Sequence, residues 1–241
     1  MESFDPNTRK NMKGSGNGWR RMIYVVINKS MMKKILIFLL SATLLISCEK
    51  DSQKVLLFVT DGSRDLELML TKEVLVIKEL LEQSNLEVKI ASLSGEPISV
   101  DTVIVKPDLK LSDVIISDYA GYIFPCMAPP WDHIYELNSE VVAFLEETAK
   151  EGKPMASQTL SVANFAKAGI LVDRKYAFTL EPDLDEYPEF RGSIYSGEGV
   201  IQDGNIITSG TCPWKAREYG LQDGTTKLTQ LFINALASKS Q

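Results

Sequence analysis

Cysteine and histidine are the residue types in this chain best suited to nucleophilic, acid–base or metal chemistry. The 241 residues include three cysteines, Cys48, Cys126 and Cys212, and a single histidine, His133. A cysteine thiolate is a nucleophile and a metal ligand, and a neutral imidazole acts as a base or a ligand. A metal site built from Cys126, Cys212 and His133 is one alternative, although their spacing matches no ligand motif.

A second group of candidate nucleophiles lies in residues 152–171, GKPMASQTLSVANFAKAGIL. The pattern predicts a buried strand that ends near Ser157, a tight turn, and a helix with apolar residues at helical spacing. Thr159 lies in the turn, and Ser157 and Ser161 are alternatives two positions to either side. A hydroxyl is a poor nucleophile unless a base activates it, and His133 is the histidine available for that role.

The first 48 residues have the layout of an export signal. Residues 31–34 are a short basic start, and residues 35–46 are an apolar run too short for a comfortable membrane span. The run leads into Leu-Ile-Ser-Cys, which is similar to a bacterial lipobox with Cys48 as the acylated residue. The alternatives are an uncleaved N-terminal anchor and a buried Cys48. We predict a mis-assigned extension at 1–30, a lipoprotein signal peptide at 31–48, and one folded domain at 49–241.

The charge balance argues against a nucleic-acid partner. The chain has 32 acidic and 26 basic side chains, and most of the charged side chains in the first 48 residues are basic, so the remainder is more acidic than the whole. Binding to a phosphate backbone needs clustered Lys and Arg. At 44% hydrophobic residues, the chain can bury one sizeable core.

Strands and helices are predicted to alternate along residues 49–241. Apolar runs predict strands at 54–60, 88–93, 99–105, 120–124, 154–158 and 176–179. Two further strands flank the Asp203-Gly204 turn, and helical periodicity is found at 65–83, 139–150 and 225–237. This order favours an α/β sandwich around a mostly parallel sheet.

The element order, the turn segment and the hairpin DGNIITS before the last helix resemble the DJ-1/PfpI family over residues 54–237. The resemblance implies a flavodoxin-like three-layer α/β sandwich with a mostly parallel central sheet, and a homodimer. It also implies activities of the protease, glyoxalase, deglycase or chaperone kind, which in the family depend on a cysteine at the turn.

The resemblance assigns roles to individual positions. An ungapped alignment places the family cysteine at Thr159 and the histidine that follows it in some members at Leu160. The acidic residue that hydrogen-bonds the thiolate falls on Glu67, which is expected either to contact Thr159 or to be an ordinary solvent-facing residue. Cys126 and Met127 stand where family enzymes have Gly-Gly, and their side chains are expected to crowd an oxyanion site.

The family fold also implies which residues surround the pocket. The expected rim consists of Cys126, Met127, Leu160, His133, Cys212 and Trp214. Placed at one rim, Cys126 and Cys212 are expected either to form a disulfide or to remain as two free thiols, one of them reactive.

The favoured functional interpretation is a pseudoenzyme of the bacterial cell envelope, held at the membrane by lipid on Cys48. It would act as a binding or scaffold domain for an unknown small molecule or protein, without cofactor or metal. The alternative is a hydrolase or thiol-dependent enzyme with a relocated nucleophile, either Thr159 with Glu67 or Cys126. A purely structural envelope protein is the third interpretation.

Overall fold

The computed structural model describes residues 52–60, 65–126 and 138–239. The predicted extension at 1–30, the signal peptide at 31–48 and Cys48 lie outside the described residues, and so do Met127 and His133. Within the described ranges, no helix is long and apolar enough to span a membrane.

The strands form one large sheet and two small ones. In chain order they are β1 (Lys54–Phe58), β2 (Glu87–Ser92), β3 (Ile98–Val100), β4 (Val103–Val105), β5 (Leu109–Lys110), β6 (Gly121–Phe124), β7 (Met155–Gln158), β8 (Lys175–Tyr176), β9 (Ile194–Tyr195), β10 (Val200–Asp203) and β11 (Ile206–Ser209). The large sheet has seven strands in the order β10-β11-β7-β6-β1-β2-β5, and all neighbours are parallel except β10 and β11.

The helices connect these strands and cover both faces of the sheet. They are α1 (Leu66–Met69), a π-helical segment (Leu70–Val74), α2 (Leu75–Gln83), α3 (Ser139–Lys150), α4 (Ser161–Lys167), α5 (Pro213–Tyr219) and α6 (Thr225–Lys239). Three short 3₁₀ turns occupy Leu111–Asp113, Ile116–Asp118 and Pro188–Phe190.

The core consists of two apolar layers, one on each side of the sheet. Along β1, Val55 and Leu57 contribute to one layer, whereas Leu56 and Phe58 contribute to the other, because side chains alternate across a strand. The first layer is completed by residues of α2 and α6, and the second by residues of α3 and α4. The predicted three-layer α/β sandwich with a mostly parallel sheet is therefore confirmed.

Candidate functional site

Three neighbouring strands end at the same edge of the sheet and bring the predicted nucleophiles together. Strand β7 lies between β6 and β11, and all three are parallel, so their carboxyl ends meet there. Cys126 comes two residues after β6, Thr159 directly follows β7, and Cys212 comes three residues after β11. All three side chains are buried.

Thr159 occupies a strained turn between β7 and α4. Its φ is +49°, in the left-handed region that a β-branched residue rarely adopts. The backbone N–H of Thr159 donates to the carbonyl of Ser209 on the neighbouring strand, which holds the turn in place. Thr159 Oγ1 makes no hydrogen bond of standard geometry to the described residues. Strain of this kind is typical of turns that present a functional side chain.

A buried carboxyl group, that of Glu73, lies beneath the turn. Glu73 is completely buried, and its Oε1 accepts a hydrogen bond of 2.8 Å from the backbone N–H of Cys126. Burial raises the pKa of Glu73 well above its usual value, and the nearby Cys212 raises it further. Burial of this carboxyl therefore favours its protonated form. Its second oxygen, Oε2, has no partner among the described residues.

The π-helical segment Leu70–Val74 gives Glu73 its position. A π turn holds more residues than an α turn, so it changes which side chains face the sheet, and such turns often lie at functional sites. Glu73 and Val74 are buried on this segment, whereas Glu67, on α1, is exposed. The prediction that Glu67 supplies the buried acid is therefore wrong, and its solvent-facing alternative is correct.

Cys212 lies at the centre of several hydrogen-bond donors. The Cys126 thiol hydrogen-bonds to Cys212, and this contact is the main cause that lowers the pKa of Cys212 from 9.0 to about 7. The Thr159 hydroxyl and the backbone N–H groups of Trp214 and Lys215 lower it further, while burial opposes them. Donors directed at a sulfur favour its thiolate form.

The pKa of Cys126 is shifted in the opposite direction. Burial raises the pKa of the Cys126 thiol well above its usual value, and the neighbouring Cys212 adds to the shift. The Cys126 thiol therefore favours its protonated form. Both cysteines are free thiols in the structure, and whether they oxidise to the predicted disulfide stays a prediction.

The other predicted positions within the described residues pack on the core or lie buried near the cysteines. Leu160 and Trp214 are half-buried and pack on the apolar layer that contains α2 and α6. Ser161 Oγ donates to the carbonyl oxygen of Pro125 at 2.5 Å, and Ser157 lies buried within β7 without a hydrogen-bond partner in the described chain. In the described residues no group of three or more His, Cys, Asp and Glu side chains is arranged to hold a metal ion.

Two features of the site were missed in the sequence. Glu73 shares the helical spacing of Met69 and Ile77 and so falls on the buried side of the helix, which was a usable signal. Helix α5, which follows Cys212, was not among the predicted helices, although Pro213 begins it and Gly220 ends it in the left-handed conformation.

A network of polar side chains fixes the loop that carries Cys212. Gln158 Nε2 donates to the carbonyl of Thr211 at 2.7 Å, and Thr179 Oγ1 donates to the carbonyl of Gly210 at 2.6 Å. Thr211 Oγ1 in turn donates to the carbonyl of Glu198 at 3.1 Å. The Cys212 thiol is thus held by the end of β7 and by the loop before β10.

We expect Gly210→Ala to destabilise the domain by about 1–3 kcal/mol. A Cβ at this position would lie 2.5 Å from the carbonyl carbon of Phe178 and 2.8 Å from the Cα of Glu198, both of which are backbone atoms. Urea unfolding measures the change. The control is Gly199→Ala, where a Cβ meets nothing within 4 Å. Equal stability of the two variants would contradict the close packing of this loop.

Comparisons with known proteins agree with this fold. The sequence matches the DJ-1/PfpI family over residues 53–222. A deglycase of Thermococcus kodakarensis is 27% identical over 157 residues, covering 65% of this chain and 89% of the relative. An uncharacterized protein of Archaeoglobus fulgidus is 30% identical over 132 residues, covering 54% of this chain and 75% of the relative.

Solved structures show the same architecture. The ThiJ/PfpI domain protein of Brachyspira murdochii superposes with a TM-score of 0.60 at 16% identity, covering 78% of this chain and 98% of that one. A DJ-1 superfamily protein of Agrobacterium tumefaciens gives a TM-score of 0.55 at 14% identity, covering 78% and 100%. With the match over most of its described residues, the chain belongs to the DJ-1/PfpI family.

Proposed function

We propose that the domain is a thiol-dependent enzyme in which Cys212 is the nucleophile and Thr159 occupies the turn in place of the family cysteine. The observation that carries this proposal is the set of donors around Cys212, which lowers the pKa of its thiol to about 7. A lowered pKa favours the thiolate, which is the reactive form of a cysteine.

The hydrogen bonds of the site favour an aldehyde substrate over an ester or amide. Acyl transfer needs free backbone N–H groups for the developing oxyanion. Here the N–H of Cys126 donates to Glu73, and that of Thr159 donates to Ser209. The N–H of Leu160 is directed at the Cys126 sulfur.

Addition of a thiolate to an aldehyde requires a proton for the carbonyl oxygen, and the protonated Glu73 carboxyl supplies that proton. The Cys212 thiolate forms a bond to the carbonyl carbon, the carbon–oxygen π bond opens, and the oxygen takes the proton of Glu73. The product is a hemithioacetal and a Glu73 carboxylate. The Thermococcus kodakarensis relative that is named a deglycase adds support for carbonyl chemistry at this site.

We expect Cys212→Ser to lower the rate of aldehyde consumption by at least about a thousandfold, because a serine hydroxyl is not ionised at neutral pH. The measurement is the disappearance of methylglyoxal, a small 2-oxoaldehyde, with the reduced full-length protein. Thr148→Val, a buried change within α3, is the control that should keep the wild-type rate. A Cys212→Ser variant as active as wild type would overturn the proposal.

A binding or scaffold role is the second candidate, and the burial of both sulfurs favours it. Cys212 is 1% exposed and Cys126 is 6% exposed, so a large substrate cannot approach either thiol without local opening. Wild-type protein that consumes no aldehyde at all would support this candidate.

We further propose that lipid on Cys48 holds the domain at the bacterial cell envelope, on the strength of the apolar run and lipobox-like residues before it. We expect Cys48→Ser to move the protein from the membrane fraction to the soluble fraction and to remove the lipid mass from its N-terminal peptide. Fractionation with immunoblotting measures this change. Retention of the variant in the membrane would contradict the lipid anchor.

A further inference from the structure

A short length of chain connects the folded domain to the proposed lipid anchor. Strand β1 begins at Lys54, and residues 49–53 connect it to Cys48. A chain spans at most about 3.6 Å per residue, so the six steps from residue 48 to residue 54 reach about 22 Å. A bilayer that holds lipid on Cys48 therefore lies within this reach of the start of β1.

The parallel strands determine which other residues lie beside the start of β1. Val55 pairs with Gly121 at the start of β6, and Tyr122 pairs with Met155 at the start of β7. The residues just before these strands therefore lie at one edge of the sheet, opposite the edge that carries the cysteines. We call it the amino edge. Residues 52–54, 117–120 and 153 line an open cleft of about 500 Å³ there.

The lining of this cleft is weakly basic. Its charged residues are two lysines, Lys54 and Lys153, and one acidic residue, Asp118. Lys153 Nζ also pairs with Glu151 at 3.3 Å. Ammonium groups near a bilayer are attracted to the phosphates of lipid headgroups. A cleft of this volume is within the range of small-molecule sites, so it can admit such a headgroup.

An exposed isoleucine lies next to the cleft. Ile115 is 62% exposed and directly precedes the 3₁₀ turn Ile116–Asp118. The Tyr122 hydroxyl donates to the carbonyl of Ile116 at 2.6 Å, and Lys153 Nζ donates to the same carbonyl at 3.3 Å. The turn that carries Ile115 is therefore held in place. An apolar side chain beside lysines is the combination found in segments that bind at a membrane surface.

We propose that the amino edge docks on the phospholipid surface, with Lys54 at the headgroups and Ile115 at the boundary of the acyl chains. The proposal rests on the lipid anchor at Cys48 proposed above. One isoleucine and a weakly basic cleft bind a membrane weakly. A short tether, however, holds the edge at an effective concentration of about millimolar, at which weak contacts are sufficient.

Docking by the amino edge decides from which side a substrate arrives. The carboxyl ends of β6, β7 and β11, with Cys126, Thr159 and Cys212, are at the opposite edge of the sheet. A strand of five residues is about 16 Å long, so this edge faces away from the bilayer. The substrate of the proposed thiol site is then a water-soluble molecule of the surrounding compartment and not a lipid.

The test places a fluorescent label at either edge of the sheet. Ser117→Cys lies on the amino edge, whereas Ser94→Cys lies two residues after β2 on the opposite edge, and both serines are exposed. The lipid-modified protein is reconstituted into phosphatidylcholine vesicles that carry a nitroxide quencher on their headgroups. Wild type treated with the same label gives the background from Cys126 and Cys212.

We expect quenching of the label at position 117 to be at least about threefold stronger than at position 94, because the length of a strand separates the two edges. Ile115→Ser is expected to reduce the quenching at position 117 by about half, since it removes the apolar contact. Ile104→Ser changes an isoleucine of similar exposure on β4 and should leave the quenching unchanged.

Equal quenching at the two positions, or stronger quenching at position 94, would overturn the proposal. If the N-terminal peptide of that protein carries the lipid mass, the orientation alone is wrong. Protein that has no lipid on Cys48 and does not bind vesicles would overturn the anchor and, with it, the orientation. No readout involves an aldehyde, so a failure of the proposed thiol chemistry leaves this result unaffected.

Discussion

A titration of the reduced, native protein by ultraviolet thiolate absorbance is expected to show one cysteine that ionises with a midpoint of about 7. The absorbance change should be absent in Cys212→Ser. It should remain in Cys126→Ser, shifted upward, because loss of the Cys126 thiol removes the main donor that stabilises the Cys212 thiolate. Absorbance is preferred to alkylation here because both sulfurs are buried.

A pair of threonine variants separates the effect of the Thr159 hydroxyl on the pKa of Cys212 from the general effect of removing a buried hydroxyl. Thr159→Val removes the hydroxyl that acts on Cys212 and is expected to raise the pKa of that thiol towards its usual range. Thr148→Val removes a buried hydroxyl that bonds only to helix carbonyls, and it should leave the pKa unchanged. A wild-type midpoint at the ordinary value of 9.0 would contradict the arrangement of donors around Cys212.

Replacement of Glu73 is expected to have the largest effect on stability. Glu73→Ala leaves a cavity and removes the acceptor for the Cys126 N–H, and we expect it to cost about 3 kcal/mol in the free energy of unfolding. Glu73→Gln resembles the protonated acid in shape and charge, so it should fold as well as wild type in mildly acidic solution.

The pH dependence of stability shows whether the protonation of Glu73, and not only its shape, contributes to the free energy of unfolding. Because folding raises the pKa of Glu73, its contribution is complete below 4.5, the value for an ordinary glutamic acid, and is lost as pH rises towards the folded value. Glu73→Gln should therefore gain stability relative to wild type as the pH rises above about 5, by up to about 1.4 kcal/mol per pH unit. Urea unfolding of the variant and of wild type at about pH 5 and at a higher pH measures this difference in the free energy of unfolding.

The control for this comparison is Glu67→Gln. It makes the same change on an exposed residue of the preceding helix and should follow wild type at every pH. A Glu73→Gln variant that tracks wild type equally closely would mean that Glu73 does not hold a proton in the folded protein.

The elements with complete local signals could be predicted from the sequence. Helix α3 has the predicted bounds of 139–150, because Asn138 caps its start and Gly152, at φ +62°, follows its end. The hairpin that Asp203-Gly204 indicated is present as β10 and β11, but its two turn residues are Gly204 and Asn205, because Asp203 still pairs with Ile206. In contrast, residues 99–105 were predicted as one strand, and they form the two strands β3 and β4 because Asp101 takes a positive φ.

The site was predictable in its location and only partly in its chemistry. Thr159, Cys126 and Cys212 meet as expected, since strand order follows from the fold class. Glu67 was the family position for the acid, whereas the buried acid is Glu73, whose spacing from Met69 and Ile77 places it on the buried side of the helix. The acidity of Cys212 depends on contacts with Cys126 and Thr159, which are distant in sequence and became visible only in three dimensions.

The position of Glu73 along its helix places its carboxyl against the backbone of Cys126, at the end of β6. Six residues separate it from Glu67, which corresponds to about 9 Å along a helix at about 1.5 Å per residue. The acid therefore lies about one and a half turns farther from the start of the helix than the aligned family position implies. Because this carboxyl is completely buried, only a group that comes into direct contact with it among the strand ends can exchange a proton with it.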